Sequence, residues 1–281
     1  MKCSSATLKR LLMNNTSVAF NLSKRMLPKS LIVGTSFPFK CGAMSCSWNQ
    51  PHPSLSPRSS ISGQPLQFRC YVDAYSYARE QGLCALPPLE NGDERMTLVL
   101  DLDETLTTVE ADNSIDYQSL GMESFTIPSG YLVVKRPGLD KFLVDMSKLF
   151  EIVLLTASVD HYADSILECL PDVFSHRLYR HHLFETKKVS ELNRDLKKVI
   201  FLDNNTGYLR DNFDNMMCVK GFSAMYKECA KDTELEKMAD VLKRIVESGK
   251  VHEEVKTWNK LFAETNRPLF EKEMLEQLGV Q

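Results

Sequence analysis

The chain has 281 residues, 43% of them hydrophobic, and a mean hydropathy of −0.24. No stretch reaches the roughly 18–20 apolar residues that a membrane-spanning helix needs, so no membrane span is expected. Its formal net charge of −3 hides an asymmetry, because residues 1–70 hold nine basic residues and no acidic one. The rest carries 25 basic and 37 acidic residues, a net charge of −12. This acidic part lacks a basic patch, so nucleic acid is not an expected partner.

Residues 1–70 have the composition of an organelle transit peptide, being basic, free of acidic residues and rich in serine and threonine. Small residues and cysteines follow Lys40 in the stretch FPFKCGAMSCS, as in a plastid processing region. We therefore predict a plastid location ahead of a mitochondrial one. The alternative is a disordered tail of biased composition, in the cytoplasm or the nucleus. Residues 71–93 end in the turn-rich LPPLENGDE and are predicted to be a linker.

Strands and helices are predicted to alternate from Met96 onward. Short apolar runs predict strands over residues 96–102, 131–136, 150–156 and 197–205. Apolar residues at helical spacing predict helices over residues 139–150, 162–170 and 233–248. Apolar strands separated by amphipathic helices are typical of an α/β fold with a mostly parallel sheet covered on both faces. We expect one such domain over residues 94–250, followed by a helical extension over 251–281.

Polar residues follow three of the predicted strands. Asp101 and Asp103 follow the first, Thr156 ends the second, and Asp203 with Asn204 ends the third. In an open parallel sheet, ligands bind at the carboxyl ends of the strands, so these residues are expected to meet at one edge. Residues two apart in extended chain point to the same side, which predicts that Asp101 and Asp103 face one pocket.

An oxygen-rich site of this kind suits Mg²⁺, which prefers hard oxygen ligands and keeps several waters. The candidate metal ligands are Asp101, Asp103, Asp203 and Asn204. Asp101 is expected to attack phosphorus as a nucleophile, while Asp103 protonates the leaving oxygen and later activates water. Thr156 and the backbone at Ala157 are expected to donate to phosphoryl oxygens, unless Thr156 is an ordinary helix N-cap. A lysine is expected to neutralise the developing charge.

The stretches DLDETL, LLTAS and VIFLDNN resemble motifs of the haloacid dehalogenase superfamily. Within it, the chain looks like the small C-terminal-domain phosphatases that act on protein phosphoserine, over about residues 96–245. The resemblance implies a three-layer, Rossmann-like fold and an aspartyl-phosphate intermediate on Asp101. It also implies that Lys187, or its neighbour Lys188, is the active-site lysine and that Arg180 lies on the substrate side. Only 52 residues separate Asp103 from Thr156, which leaves room for a small cap domain or none.

Three departures from this family's pattern concern the substrate surface. The segment between Arg180 and Lys187 is short, Asn205-Thr206 replaces a common Ser-Pro, and GFSAMYKE around Phe222 lacks an expected Trp. None of them removes a catalytic group. The expected function is therefore a Mg²⁺-dependent phosphatase acting on phosphoserine or phosphothreonine in proteins. Two alternatives stay open, a protein-binding module of the same fold and a small-molecule phosphatase.

Overall fold

The computed structural model describes residues 86, 87, 89, 92–183 and 186–280. The predicted transit segment, residues 1–70, lies outside this part of the chain, so its targeting stays a prediction. Most of the predicted linker over residues 71–93 lies outside it as well. Within the described residues, no helix combines the length and the apolar character that crossing a membrane requires.

A five-stranded parallel sheet forms the centre of the described domain. The strands in chain order are β1 (Met96–Leu100), β2 (Thr107–Thr108), β3 (Ser124–Thr126), β4 (Leu132–Lys135), β5 (Phe150–Leu155), β6 (His176–Leu178), β7 (Val199–Asp203) and β8 (Met216–Cys218). The central sheet has the order β6-β5-β1-β7-β8. Its register sets Leu100 beside both Leu154 and Leu202, so β1, β5 and β7 end level with one another. The prediction of an α/β fold with a mostly parallel sheet is confirmed.

Helices cover both faces of this sheet. They are α1 (Leu139–Ser147), α2 (Asp160–Leu167), α3 (Glu234–Ser248), α4 (Val251–Thr265) and α5 (Lys272–Leu278). Consecutive strand residues point to opposite faces, and Leu98, Val99 and Leu100 are each fully buried, so neither face of β1 meets solvent. Helix α1 packs against β5 and α3, whereas α4 packs against β7 and β8.

The strand predicted over residues 131–136 forms, but it does not join the parallel sheet. As β4 it pairs antiparallel with β2 and β3 in a separate three-stranded sheet. A tight turn reverses the chain between β3 and β4: Gly130 has φ +87° and its N–H donates to Ile127 O at 2.8 Å. Antiparallel strands need only such a turn, whereas a parallel crossover needs a dozen or more residues. The short stretch between Asp103 and Thr156 therefore carries a small sheet instead of a lid.

The C-terminal residues are packed against the edge of the central sheet. Trp258 of α4 is fully buried, and its Nε1 donates to Cys218 O at 2.7 Å. Asn259 donates to Met216 O at 2.6 Å and accepts from Cys218 N at 2.9 Å. Because β8 is an edge strand, these side chains satisfy backbone groups that no further strand pairs with. The segment predicted to be helical over residues 251–281 thus forms α4 and α5 and closes this edge.

A buried ion pair lies at the amino-terminal end of the sheet. Arg194 Nη2 donates to Glu151 Oε1 at 2.6 Å, Arg194 Nε donates to Glu151 Oε2 at 2.8 Å, and Thr97 donates to Oε2 at 2.7 Å. Burial acts to raise the pKa of Glu151, but hydrogen bonds from Arg194, His176 and Thr97 outweigh it and hold that pKa well below its usual value. Arg194 Nη1 also donates to Pro87 O at 2.7 Å, so packed structure begins before residue 94.

Arg194→Met is expected to lower the free energy of unfolding by about 3–5 kcal/mol, because it leaves a buried carboxylate unpaired. Adding Glu151→Gln should recover much of that loss, since no buried charge then remains. A carboxyl whose pKa is lowered by folding stabilises the fold at pH values above its ordinary pKa, and this stabilisation is lost as the pH falls toward the lowered pKa. The difference in unfolding free energy between the unsubstituted protein and Arg194→Met should therefore be smaller in acid. Urea unfolding at pH 7 and pH 4 measures both effects, and equal midpoints for the single and double variants would contradict them.

Candidate active site

The carboxyl ends of β1, β5 and β7 bring the predicted polar residues to one edge of the sheet. Asp101 directly follows β1, Thr156 directly follows β5, and Asp203 is the last residue of β7. Asp101 N donates to Leu202 O at 3.0 Å and Thr156 N to Leu178 O at 2.9 Å, which continues the strand hydrogen bonding into the site. All three predicted residues are buried. The prediction that the three strand ends meet is confirmed.

Lys187 lies between two of these carboxylates. Its Nζ donates to Asp101 Oδ1 and to Asp203 Oδ2, each at 2.6 Å, and its side chain is 2% exposed. The structure therefore places Lys187, and not Lys188, beside the predicted nucleophile. Asn212 was not predicted to have a role, yet it fixes this segment: its side chain donates to Lys187 O at 2.8 Å and accepts from Val189 N at 2.9 Å.

Burial dominates the electrostatics of this group. It raises the pKa of Asp101, although Lys187 opposes the shift. It also raises the pKa of Asp203 to about 7, with the charge of Asp101 adding to the shift and Lys187 opposing it. Burial acts to lower the pKa of Lys187, but Asp101 and Asp203 outweigh it and raise that pKa. One lysine thus does not balance the carboxylates around it, and the site favours a further positive charge.

Asp103 lies on the loop after β1, and its carboxylate is held by residues that follow β5. Ser158 Oγ donates to Asp103 Oδ2 at 2.6 Å, and Tyr162 OH donates to Asp103 Oδ1 at 2.7 Å. Tyr162 belongs to α2, and its spacing predicted only an apolar helix face. Ser158 belongs to the polar stretch Thr156-Ala157-Ser158 that was expected at this edge, but it was assigned no separate role. Both residues contact Asp103, the predicted general acid and base. The tertiary fold, and not the local sequence, brings them to this residue.

The loop after β5 is fixed by its own hydrogen bonds. Thr156 Oγ1 accepts from Ser158 N at 3.0 Å. The exposed Arg180 donates through Nε to Ala157 O at 2.6 Å, and its backbone N–H donates to Ser158 O at 2.9 Å. The N-cap of α2 is Val159, so the alternative that Thr156 caps this helix is wrong. The structure therefore gathers Thr156, Ala157 and Arg180 on one side of the site.

Three side-chain oxygens come together on the other side, from Asp101, Thr105 and Asn204. Thr105 Oγ1 lies 3.2 Å from Asp101 Oδ2 and 3.3 Å from Asn204 Oδ1. A hydroxyl carries one hydrogen and can donate to one of these oxygens at a time, so lone pairs are in excess. Asn204 Nδ2 donates to Glu104 Oε2 at 3.0 Å, which leaves the amide oxygen directed to Thr105 Oγ1. A set of hard oxygens with few hydrogens fits Mg²⁺ completed by waters.

The side chains of the four predicted metal ligands are held in different ways, and their assignment as one set stays a prediction. Both oxygens of Asp203 are engaged, Oδ2 by Lys187 and Oδ1 by Asn205 N at 2.7 Å. The carboxylate of Asp103 is held by the hydroxyls near α2. Among the described residues, no group of three or more Asp, Glu, His or Cys side chains is arranged to hold a metal ion. Of the four, Asp101 and Asn204 both have an oxygen near Thr105 Oγ1, whereas the oxygens of Asp203 contact Lys187 and Asn205.

Comparison with known proteins defines the family of this chain. Residues 96–252 match the family described as NLI interacting factor-like phosphatase. The chain belongs to this family. It is 38% identical over 140 residues to carboxy-terminal domain RNA polymerase II polypeptide A small phosphatase 2 of Mus musculus, covering 46% of this chain and 52% of that protein. It is 37% identical over 129 residues to phosphatase PSR1 of Saccharomyces cerevisiae, covering 42% of this chain and 30% of that protein.

The chain thus spans about half the length, or less, of these curated relatives. Among solved structures, that of Fcp1, an essential RNA polymerase II CTD phosphatase, aligns with a TM-score of 0.36 and 19% identity. The alignment covers 65% of each chain. A similarity at this level says nothing about the substrate. The assignment of the fold rests on the parallel sheet described above.

Arg136 connects the motif loop, residues 101–106 with the sequence DLDETL, to distant segments of this NLI interacting factor-like phosphatase domain. Its buried guanidinium donates to Thr105 O at 3.1 Å and pairs with the Asp232 carboxylate at 2.9 Å. It also lies 5.4 Å from the ring centre of Phe222, whose N–H donates to Glu104 O at 2.8 Å. The departure at Phe222 therefore lies in a buried support of the motif loop. Arg136 was assigned no part in the site from the sequence, because its partner 96 positions away leaves no local signal.

Proposed function

We propose that this chain is a Mg²⁺-dependent phosphatase that works through an aspartyl-phosphate on Asp101. We further propose that its substrates carry phosphoserine or phosphothreonine in proteins. The observation that carries the proposal is the contact of Lys187 with Asp101 at the end of β1, inside a domain of a phosphatase family. Asp101 and Asn204 would hold the metal ion, which supplies positive charge for an incoming phosphate.

The proposed reaction has two steps. A carboxylate oxygen of Asp101 attacks phosphorus, the bond from phosphorus to the ester oxygen breaks, and Asp103 gives that oxygen a proton. Asp103 then takes a proton from water, which attacks the aspartyl-phosphate, releases inorganic phosphate and restores the Asp101 carboxylate. Lys187 favours the ionised form of Asp101 and orients it, and it stabilises negative charge on the phosphoryl group.

The loop after β5 is suited to hold the phosphate. Thr156 Oγ1 accepts one hydrogen bond from Ser158 N, and its own hydrogen can be donated to a phosphoryl oxygen. Arg180 uses Nε on Ala157 O, and its Nη groups can donate to an anionic part of the substrate. These groups supply positioning and charge, which phosphoryl transfer chiefly requires.

The small size of the sheet formed by β2, β3 and β4 favours a protein as the substrate. Three short strands replace a lid domain, so the site stays open to a phosphate presented on a macromolecule. The name of the mouse relative, a phosphatase of an RNA polymerase II polypeptide, supports the same substrate class. We also propose that residues 1–70 direct the chain to a plastid. Their composition supports this, and the location of a fluorescent protein fused to these residues tests it.

Hydrolysis assays on the full chain test the proposed function. Aryl phosphate should be hydrolysed with Mg²⁺ and not with EDTA, and phosphoserine peptides should give a higher kcat/KM than free phosphoserine. A matched series of small phosphate esters is the comparison. Higher kcat/KM for small esters than for peptides would favour a small-molecule phosphatase. A folded protein that binds Mg²⁺ but turns over no phosphate ester would favour the binding module.

A further inference from the structure

Asp103 is the proposed proton donor, yet its own segment does little to hold its side chain. Strand β1 ends at Leu100, and the backbone at Asp103 forms only an isolated bridge with Thr107, while the next residue, Glu104, has φ +59°. These backbone contacts hold the main chain of the loop and do not reach the carboxylate. A carboxylate on such a loop can rotate about both of its side-chain torsions. Proton transfer requires it to be held within about 0.5 Å and 10–20° of the productive geometry. Other segments must therefore supply the restraint.

Ser158 and Tyr162 supply two short hydrogen bonds, one to each carboxylate oxygen of Asp103. The distances are 2.6 Å from Ser158 Oγ to Oδ2 and 2.7 Å from Tyr162 OH to Oδ1. One bond to each oxygen restrains both torsions of the carboxylate. The two donors approach from the loop after β5 and from the first turn of α2, which both lie beside β1 in the fold.

The Tyr162 ring has an aromatic neighbour, Tyr131. Tyr131, which is 55% exposed on the hairpin between β3 and β4, makes an edge-on contact with it at a centroid distance of 6.4 Å. Tyr162 is partly buried, and its ring packs against the hydrophobic core while its hydroxyl reaches Asp103.

We infer that Ser158 and Tyr162 are positioning residues that hold the Asp103 carboxylate for proton transfer to the leaving oxygen. The inference rests on the proposed function and assigns these two residues a role within it. When Asp103 is ionised, both hydroxyls donate to it. When it carries the proton, one hydroxyl can rotate and accept, because serine and tyrosine hydroxyls can do either. The pair therefore holds the side chain before and after the proton moves.

The test is the dependence of kcat/KM on the leaving group, measured with Mg²⁺ on the full chain. The substrates are aryl phosphates whose phenols range from strongly to weakly acidic. A good leaving group departs without a proton, whereas a poor one needs general acid catalysis, which contributes roughly 10²–10⁴-fold. Tyr162→Phe keeps the ring and its contact with Tyr131 but removes the hydroxyl. We expect it to lower kcat/KM about 10-fold or more for the poorest leaving group and little for the best.

Ser158→Ala should steepen the same dependence, and Ser158→Ala combined with Tyr162→Phe should steepen it further. Tyr179→Phe is the matched control, because Tyr179 OH donates to Asp164 on the same helix at 2.6 Å and does not contact Asp103. It should leave the dependence unchanged. Thermal unfolding of each variant reports any loss of stability separately.

The outcomes separate this inference from the proposed function. A steeper leaving-group dependence in the Ser158 and Tyr162 variants supports the inference. An equal loss of kcat/KM for every leaving group, or no loss, overturns it and leaves the proposed function standing. Absence of turnover in the unsubstituted protein overturns the proposed function, and the inference with it.

Discussion

Asp101→Asn is expected to abolish turnover while leaving the fold intact. A carboxamide has almost the same shape as a carboxylate but cannot attack phosphorus, and loss of a nucleophile costs on the order of 10⁴-fold or more in kcat. Lys187 keeps its contact with Asp203 in this variant. Because burial disfavours the charged form of Asp101 and raises its pKa, the free energy of unfolding should stay the same or rise. Initial rates on aryl phosphate and urea unfolding measure the two effects.

Glu110→Gln is the matched control for Asp101→Asn. Glu110 is an exposed carboxylate close enough to the motif loop to affect the pKa of Glu104, and it contacts neither Asp101 nor Lys187. Its substitution should leave turnover unchanged. Retained turnover in Asp101→Asn would refute the nucleophile. A large drop in its unfolding midpoint would instead show that Asp101 is a structural residue.

Lys187→Met is expected to remove turnover and to lower the free energy of unfolding by about 3–5 kcal/mol, because two buried carboxylates lose the cation between them. The side chain of Lys187 lies 2.6 Å from both Asp101 and Asp203, so no water-filled gap weakens these contacts. Methionine fills a similar volume, which limits any cavity effect. Urea unfolding and aryl phosphate hydrolysis of the same preparation measure both losses.

Two further variants separate the structural role of Lys187 from its catalytic role. Lys187→Met with Asp203→Asn should recover much of the lost stability, because one buried charge is gone, and should remain without turnover. Lys188→Met is the matched control and should change neither property. The assignment fails if Lys188→Met loses turnover while Lys187→Met keeps it. It fails as well if the double variant regains activity together with stability.

The parallel sheet and the meeting of its strand ends could be predicted because they follow from local pattern. Apolar runs marked β1, β5 and β7, and the rule that ligands bind at the carboxyl ends of strands placed Asp101, Thr156 and Asp203 together. The pattern did not predict the partners of Asp103. Strand β1 ends at Leu100, and the hydroxyls of Ser158 and Tyr162 reach the Asp103 carboxylate only through the fold.

The remaining features depend on contacts between distant parts of the chain. The sequence of β4 predicts a buried strand. The short turn that joins it to β3 makes the two strands pair antiparallel. The contacts of Arg136 with Asp232 and of Tyr162 with Asp103 join segments 96 and 59 positions apart, and neither has a sequence motif of its own. Lys187 was identified only from the family resemblance. A lysine after a short loop shows no hydrophobic pattern that would mark it as buried.

Covalent phosphorylation of Asp101 is the step on which the proposed function depends most directly. Intact-mass measurement of protein quenched in acid during turnover of an aryl phosphate with Mg²⁺ should show one added phosphoryl group. Digestion at acidic pH should locate that group on the peptide that contains Asp101, and Asp101→Asn should show none. Steady turnover without any phosphorylated protein, or a phosphoryl group on another residue, would contradict the proposed mechanism.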